Sequence, residues 1–279
     1  MRRSLLMRLV TDLDQWQQLR SEQNESVGFV PTMGALHEGH LSLLRRSVAE
    51  NQFTVLSIFV NATQFNNSAD LQNYPSSIEQ DLKLAESVGV DLVLMPDYAQ
   101  MYPDDFRFQL QEEIFSRDLC GSDRPGHFTG VLTVVLKLLN LVQPEKAYFG
   151  LKDYQQYLLI KDMCAGLFLP IQIIGCDTLR EKDGLAISSR NRRLDSAARS
   201  VAGRFNEILY RSGSDEEALT TLQVLGCSVS YIKTQCGRRF GAIEIESQGG
   251  SVRLIDNLVP ENLEENFSAV DSSVAGISQ

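Results

Sequence analysis

The stretch "VPTMGALHEGH", residues 30–40, sets His37 and His40 three positions apart, just after an apolar run and just before the apolar-periodic "LSLLRRSVAE". Side chains at i and i+3 share one side of a helical turn. A helix start carries unpaired backbone N–H groups and the positive end of the helix dipole, so phosphate is the guest it suits. Two imidazole N–H groups there would stabilise charge that gathers on phosphate oxygens as a phosphate ester bond breaks. Gly34 and Gly39 leave room for a base or a sugar to come close. Three other readings compete. Zinc needs three or four protein ligands, and two histidines without a convincing third make a poor site. A general-acid role for His37 fits the pKa of histidine, but spacing alone does not assign it. The plainest alternative is a capped loop whose histidines satisfy backbone groups.

Two further segments hold groups suited to phosphate. In "YFGLKDYQQ" (148–156), Lys152 follows Gly150 where a strand gives way to a helix, which suits a point charge for phosphates better than a surface lysine. Asp153 fits the N-cap of that helix. "ISSR", Ile187 to Arg190, offers two hydroxyls and a guanidinium, although "SSRN" could equally cap the helix that follows. By residue type alone, Met33 reads as packing and Gln64 as a solvated loop residue.

These groups need a scaffold, and the apolar pattern describes one. Compact apolar runs at 27–30, 53–60, 90–96, 146–150 and 171–175 alternate with helical spacing at 40–50, 76–88, 129–141 and 153–165. That alternation predicts an α/β fold, a Rossmann-like parallel sheet with helices on both faces. Ligands in such folds collect beyond the carboxyl ends of the strands, where His37, His40, Gln64 and Lys152 fall. After "SSRNRRLDSAARS" the texture changes to helices at about 196–210 and 215–225, then to "GAIEIES" and "SVRLIDN", short alternating runs that pair as strands. The expected division is residues 1–184 and a smaller α+β C-terminal domain, 185–279, whose tail frays from about 264.

Composition narrows the function classes. The 279 residues can bury a substantial core, with one large domain and a smaller one as the natural arrangement. Thirty-six acidic against 26 basic residues give a net charge of -10, which argues against general polyanion or nucleic-acid binding. Five scattered cysteines with no CxxC pair indicate reduced thiols and neither a disulfide framework nor a thiolate zinc site. Asp12 and Asp14 interrupt the N-terminal leucines too early for a signal peptide, and no run reaches a membrane span. A soluble cytoplasmic protein is the expectation.

"HEGH" after "PTMGAL" resembles the HxGH signature of the nucleotidyltransferases that activate substrates as adenylates. Joined by "FVNATQF" (59–65), "YP" before a helix with Asp81, "RPGHFTGVLTVVLKLLNLVQP" (124–144), "YFGLKDYQQ", "REKDGLAISSRNRRL" (180–194) and "RLIDN", it resembles the pantoate-beta-alanine ligase family over residues 25–258. The resemblance implies a cytoplasmic homodimer that uses ATP and Mg2+ to join (R)-pantoate to beta-alanine through a pantoyl adenylate, releasing pyrophosphate and AMP. It implies catalytic duty for His37, His40, Lys152 and Arg190. It places Met33, Gly34, Gly150, Asp153, Leu179, Ile187, Ser188 and Ser189 beside them on ATP, with the C-terminal domain as a lid. Gln64 and Gln156 would hold pantoate, with Gln64 close to beta-alanine, and Asp81 would stand near the metal. His127 is expected to serve the substrate loop or the structure. Two departures stand out: Ala62 and Thr63 replace the proline and the leucine or methionine of "FVNPxQF", and Leu151 replaces the glutamate of "FGEKD". Losing the proline loosens that loop in the unfolded state. The rival readings are another adenylate- or cytidylate-forming enzyme on this fold and a nonenzymatic nucleotide sensor.

Overall fold

The computed structural model describes residues 6–66, 71, 72, 74 and 77–263; Pro75 of the "YP" pair and the tail from 264 lie outside them. The chain divides between Thr178 and Leu179 into two compact units. The first contains β1 (Arg8–Val10), α1 (Leu13–Glu22), β2 (Val27–Thr32), α2 (Glu38–Glu50), β3 (Phe53–Ile58), α3 (Ile78–Ser87), β4 (Leu92–Leu94), α4 (His127–Val142), β5 (Lys146–Gly150), α5 (Tyr154–Gly166) and β6 (Gln172–Cys176). Single helical turns lie at Ala62–Gln64, Tyr98–Met101, Cys120–Asp123 and Leu151–Asp153.

All six strands pair in parallel, in the order β1-β4-β3-β2-β5-β6. Phe29, Val55, Leu92 and Ala147 are register partners on one face; Val30, Leu56 and Val93 line the other. Both rows are buried, and a sheet buried on both faces needs helices on both. Leu41 and Leu44 of α2 and Ala85 of α3 pack the Val30 face together with Tyr148. Trp16 on α1 is buried and donates its indole N–H to the Leu141 carbonyl at 2.8 Å, which ties α1 to α4. The α/β expectation therefore holds. The chain steps outward from β2 through β3 and β4, then returns to the other side of β2 as β5. The order thus reverses between β2 and β5, and the crevice beyond their carboxyl ends is where this architecture takes ligands.

Leu179–Leu263 of the second unit contains α6 (Ser196–Ala202), α7 (Phe205–Arg211), α8 (Asp215–Val224) and the antiparallel sheet β7 (Ser228–Gln235), β8 (Arg238–Ile245) and β9 (Val252–Leu258). Phe205, Leu209 and Leu222 pack on Ile243 and Val252 to make its core. Ser214 caps α8 by accepting from the Glu217 N–H, and three acidic residues occupy the first turn, where the dipole favours them.

The structure differs from the sequence reading in four places. The boundary lies at 178/179 instead of 184/185, because residues 179–187 fold as a hairpin within the second unit: Ile187 N–H donates to Leu179 O, and Arg180 forms an ion pair with Asp256 at 2.6 Å. The helix expected over 196–210 breaks at Gly203–Arg204; Gly203 is a weak helix former and lies against Asp183. β1 escapes a periodicity argument because it is three residues long. β7, "SVSYIKTQ", is mostly half-exposed and bulges between Val229 and Tyr231, so it lacks the clean alternation of its neighbours.

Arg239 on β8 is 2 % exposed, yet its guanidinium is engaged through Nε, by Asp215 Oδ1 at 2.9 Å and Thr234 Oγ1, and through Nη1, by the Leu209 and Ser212 carbonyls. Burial works to raise the Asp215 carboxyl, but hydrogen bonds from Thr234 and Arg239 outweigh it and leave Asp215 below the usual carboxylate value. A lowered folded-state pKa contributes stability above the unfolded value of 3.8, and that contribution is lost as pH falls through the folded one. Asp215→Ala strands the buried guanidinium and is expected to destabilise the protein by about 3–5 kcal/mol at pH 7. Urea melts should show the gap from wild type narrowing as pH drops below the carboxylate range; a gap that widens would refute this account.

Candidate active site

β2 ends at Thr32 and the chain turns through Met33–Leu36 before α2 begins. Gly34 has φ of 81°, and Ala35, a residue with a Cβ, has φ of 50°. Left-handed backbone at a non-glycine residue costs on the order of 1 kcal/mol. The carboxylate of Asp81, from α3, offsets that cost by accepting the Ala35 and Leu36 N–H groups, one on each oxygen, both at 2.8 Å. Ser77 Oγ donates to it as well, at 3.4 Å, and Asp81 is 1 % exposed. Asp81, expected near a metal, thus turns both oxygens to the backbone of the turn, and it also lines the cavity beside Met33–Ala35. No cluster of three or more His, Cys, Asp or Glu among the described residues is arranged to hold a metal ion.

This turn delivers His37 to the N-cap of α2 and His40 to its third helical position. The two rings lie 4.1 Å apart, tilted by 31°. A Cβ at Gly39 would sit 2.9 Å from Cε1 and Nδ1 of His37, so a side chain there would push that ring aside. The His37 N–H donates to His40 Nδ1 at 3.4 Å, so that nitrogen carries a lone pair and the proton of neutral His40 sits on Nε2. Desolvation pushes His40 down to about 3, with His37 and Lys152 working in the same direction and Asp153 against them. His40 is thus a neutral N–H donor at physiological pH.

Those couplings also place the β5 loop beside the α2 start. Lys152 and Asp153 lie in the turn after Gly150, with Nζ and Oδ2 3.7 Å apart and the lysine side chain only 17 % exposed. Asp153 occupies the N-cap of α5 as expected, but its side chain makes no capping hydrogen bond. Gln156, one turn into α5, is half-buried and its amide makes no side-chain hydrogen bond among the described residues. Its neighbour Gln155, which sequence reasoning passed over, is buried and bonds the Cys120 N–H and the Phe115 and Asp118 carbonyls.

Gln64 ends the short turn after β3. Its amide Nε2 points at the Met33 sulfur, 3.2 Å away, and its Oε1 accepts from Asn61 Nδ2 at 3.1 Å. Met33 and Gln64 are thereby brought together. A cavity of about 240 Å3 borders the same Met33–Ala35 turn, lined also by Ile58, Met95 and Tyr98.

In the second unit, the 179–187 hairpin carries Leu179 and Ile187 as backbone partners and leads directly into Ser188, Ser189 and Arg190. Ser188 Oγ accepts the Arg190 N–H at 3.3 Å and so caps the 189–193 turn, whereas α6 is capped by Asp195. The hairpin is anchored by Arg180, which donates to both oxygens of buried Asp256 at 2.6 and 2.9 Å. Asp256 is the acid of "RLIDN".

With this geometry, the comparison with known proteins is decisive. The family model for pantoate-beta-alanine ligase matches residues 6–259. The chain belongs to the pantoate-beta-alanine ligase family. It is 47 % identical over 253 residues to a pantothenate synthetase of Legionella pneumophila (strain Lens), covering 90 % of this chain and 99 % of that protein. It is 46 % identical over 254 residues to that of Coxiella burnetii (strain Dugway 5J108-111), covering 91 % and 97 %. A solved pantoate-beta-alanine ligase from Francisella tularensis, complexed with beta-gamma ATP and beta-alanine, is 40 % identical with a TM-score of 0.85, over 91 % of this chain and 97 % of that one. The pantothenate synthetase of Thermus thermophilus is 38 % identical with a TM-score of 0.81, over 91 % and 99 %. The chain is accordingly an enzyme that condenses pantoate with beta-alanine.

Its departures from the family pattern are accommodated locally. Thr63, in the "FVNATQF" turn, donates its hydroxyl to Asn61 Oδ1 at 2.9 Å, and Tyr102 OH donates to the same oxygen at 2.7 Å. The turn before Gln64 is thus held without the proline. Leu151 packs against Gly175 on β6, so closely that a Cβ at 175 would come 2.6 Å from its Cδ2. No helix of the described residues is long and apolar enough to cross a membrane.

Two outcomes are expected. In 15N-edited NMR, His40 should stay neutral with its proton on Nε2 from pH 8 to pH 5; protonation within that range would overturn the assignment. Asp81→Ala leaves two buried N–H groups unsatisfied and should cost about 2–4 kcal/mol in urea unfolding, whereas a change below about 0.5 kcal/mol, the scale of an ordinary surface substitution, would deny it the role of clasp.

Proposed function

We propose that the condensation runs through a pantoyl adenylate at the β2/β5 crevice, with ATP as the activating substrate. A pantoate carboxylate oxygen attacks the α-phosphorus, and the bond from that phosphorus to the bridging oxygen breaks as pyrophosphate leaves. The beta-alanine amine then attacks the acyl carbon; AMP departs with the carboxylate-derived oxygen, and the amine gives up its proton to solvent. The observation that supports this reading best is the neutral His40, an N–H donor at the start of α2 with Lys152 close by. Charge that grows on the departing phosphates is what such fixed donors stabilise.

His37, His40 and Lys152 are assigned to the phosphates, with Met33, Gly34, Gly150 and Asp153 beside them. Leu179, Ile187, Ser188, Ser189 and Arg190 are assigned to ATP as well, with Arg190 suited to holding two phosphate oxygens at once. Gln64 and Gln156 are assigned to pantoate: an amide donates to a carboxylate or hydroxyl and accepts from another hydroxyl. No covalent enzyme intermediate is required, so orientation and electrostatics carry the rate. Magnesium is assigned to the ATP phosphates, which commonly hold it with water, with Asp81 in its neighbourhood. We assign the enzyme to the cytoplasm, as a homodimer.

The test is pyrophosphate release from ATP, with and without pantoate and beta-alanine, together with identification of AMP and pantothenate. Pantothenate should form only when all three substrates are present. His40→Ala and Lys152→Ala should each lower kcat by roughly 10²–10³-fold with the melting temperature unchanged. ATP binding without any turnover of pantoate would refute the substrate assignment.

A further inference from the structure

The "RPGH" segment converges on one backbone atom. His127 Nδ1 lies 2.9 Å from the Gln64 carbonyl oxygen, and Arg124 Nη2 donates to the same oxygen at 3.1 Å. Arg124 Nη1 lies 3.2 Å from His127 Nε2, which closes a triangle. The direction of each bond is fixed by chemistry. A carbonyl only accepts, so His127 Nδ1 bears hydrogen; a guanidinium only donates, so His127 Nε2 bears a lone pair. His127 is therefore held as the neutral Nδ1–H tautomer, the opposite of His40.

The same turn is pressed from a second side. Gly130, one turn into α4, packs so tightly that a Cβ there would come 2.6 Å from the Thr63 carbonyl oxygen and 2.8 Å from Gln64 Cα. Asn61, 1 % exposed, donates from Nδ2 to both the Gly130 carbonyl and Gln64 Oε1. The main chain and the amide of Gln64 are thus both fixed. What remains loosely held is Gln64 Nε2, whose partner, the Met33 thioether, is a weak acceptor that a substrate oxygen readily displaces.

We propose that His127 and Arg124 are positioning residues for pantoate: they clamp the Gln64 carbonyl so that its amide meets the substrate at a set angle, without touching substrate themselves. This rests on the assignment of Gln64 to pantoate. A displacement of a positioned group by about 1 Å is enough to cost a large factor in rate, and the loss should fall on pantoate and spare ATP.

The experiment uses the full chain with His127→Leu, which removes both contacts; His127→Asn, which keeps an N–H near the Nδ1 position; Arg124→Gln; and Gln64→Ala. His127→Leu and Arg124→Gln should lower kcat/KM for pantoate by about tenfold or more, with KM for ATP within about twofold. His127→Asn should recover most of the loss, and 15N NMR of the wild type should show His127 protonated on Nδ1. Equal losses toward pantoate and ATP, an unchanged kcat/KM for pantoate, failure of His127→Asn to recover more than His127→Leu, or an Nε2–H tautomer would each overturn the clamp. If His127→Leu does not fold, Arg124→Gln and the wild-type tautomer decide the question. Gln64→Ala separates the two levels. A pantoate-selective loss there with none in the clamp variants leaves Gln64 on pantoate and removes the clamp; no loss in Gln64→Ala removes the assignment on which the clamp rests.

Discussion

Two hydrogen bonds from the Ala35 and Leu36 N–H groups to the buried Asp81 carboxylate hold together a turn that would otherwise relax. Ala35 sits in left-handed backbone, which a residue with a Cβ adopts only under constraint, and the constraint comes from 46 residues further along the chain. Strain of this kind is retained where something downstream depends on the geometry. Here the dependent element is the start of α2. With the turn closed, the chain leaves β2 and enters the helix in the fewest residues, His37 falls on the N-cap, and His40 lands one turn in, above its neighbour's N–H. The contribution of Asp81 to this turn is thus geometric.

The state of His40 follows from that placement. A histidine at a helix N-terminus faces the positive end of the dipole, and here it also faces a second imidazole and a lysine. Adding a proton would place like charges together in a desolvated setting, so the ring stays neutral. Neutrality suits anion recognition. The ring keeps one N–H donor across the whole physiological range, and the accepting nitrogen is occupied by the His37 N–H, so the donor cannot swap ends. Lys152, with its Nζ 3.7 Å from Asp153 Oδ2, stands on the other side of the β2/β5 reversal. Oriented neutral donors of this kind need no reorganisation when charge grows on a bound anion.

Much of this was legible in the residues. The apolar runs located five of the six parallel strands, and "HEGH" after one of them located the helix start. What could not be read was which acidic and amide groups face inward. Asp81 lies on a helix with acidic neighbours, and only the tertiary fold shows that its oxygens meet the Met33–Leu36 turn. Gln155 and Gln156 are adjacent and alike in type, yet a helix turns about 100° per residue; the first is consumed by three loop hydrogen bonds and the second is left with its amide unspent. β1 and β7 were invisible for the opposite reason: one is too short and the other too exposed for periodicity to register, and their pairing is decided by neighbours far away in sequence.

An excess of acidic residues ought to oppose the triphosphate site proposed above, so the partners of the buried acids matter. Asp81 is satisfied by two backbone N–H groups and a serine hydroxyl; Asp256 is matched by both guanidinium nitrogens of Arg180; Asp215 is matched by Arg239 and Thr234. For Asp256 and Asp215 an opposing guanidinium charge lies within hydrogen-bond distance, so the pair projects little field beyond itself, whereas Asp81 is held by neutral donors and keeps its charge. Two of these acids hold the very loops that carry phosphate-facing candidates, the Met33–His37 turn and the 179–190 hairpin. Asp81 and Asp256 therefore stiffen these two loops, each within its own unit. Net charge is a property of the whole chain; the field at each loop is set by the charges and partners nearest to it.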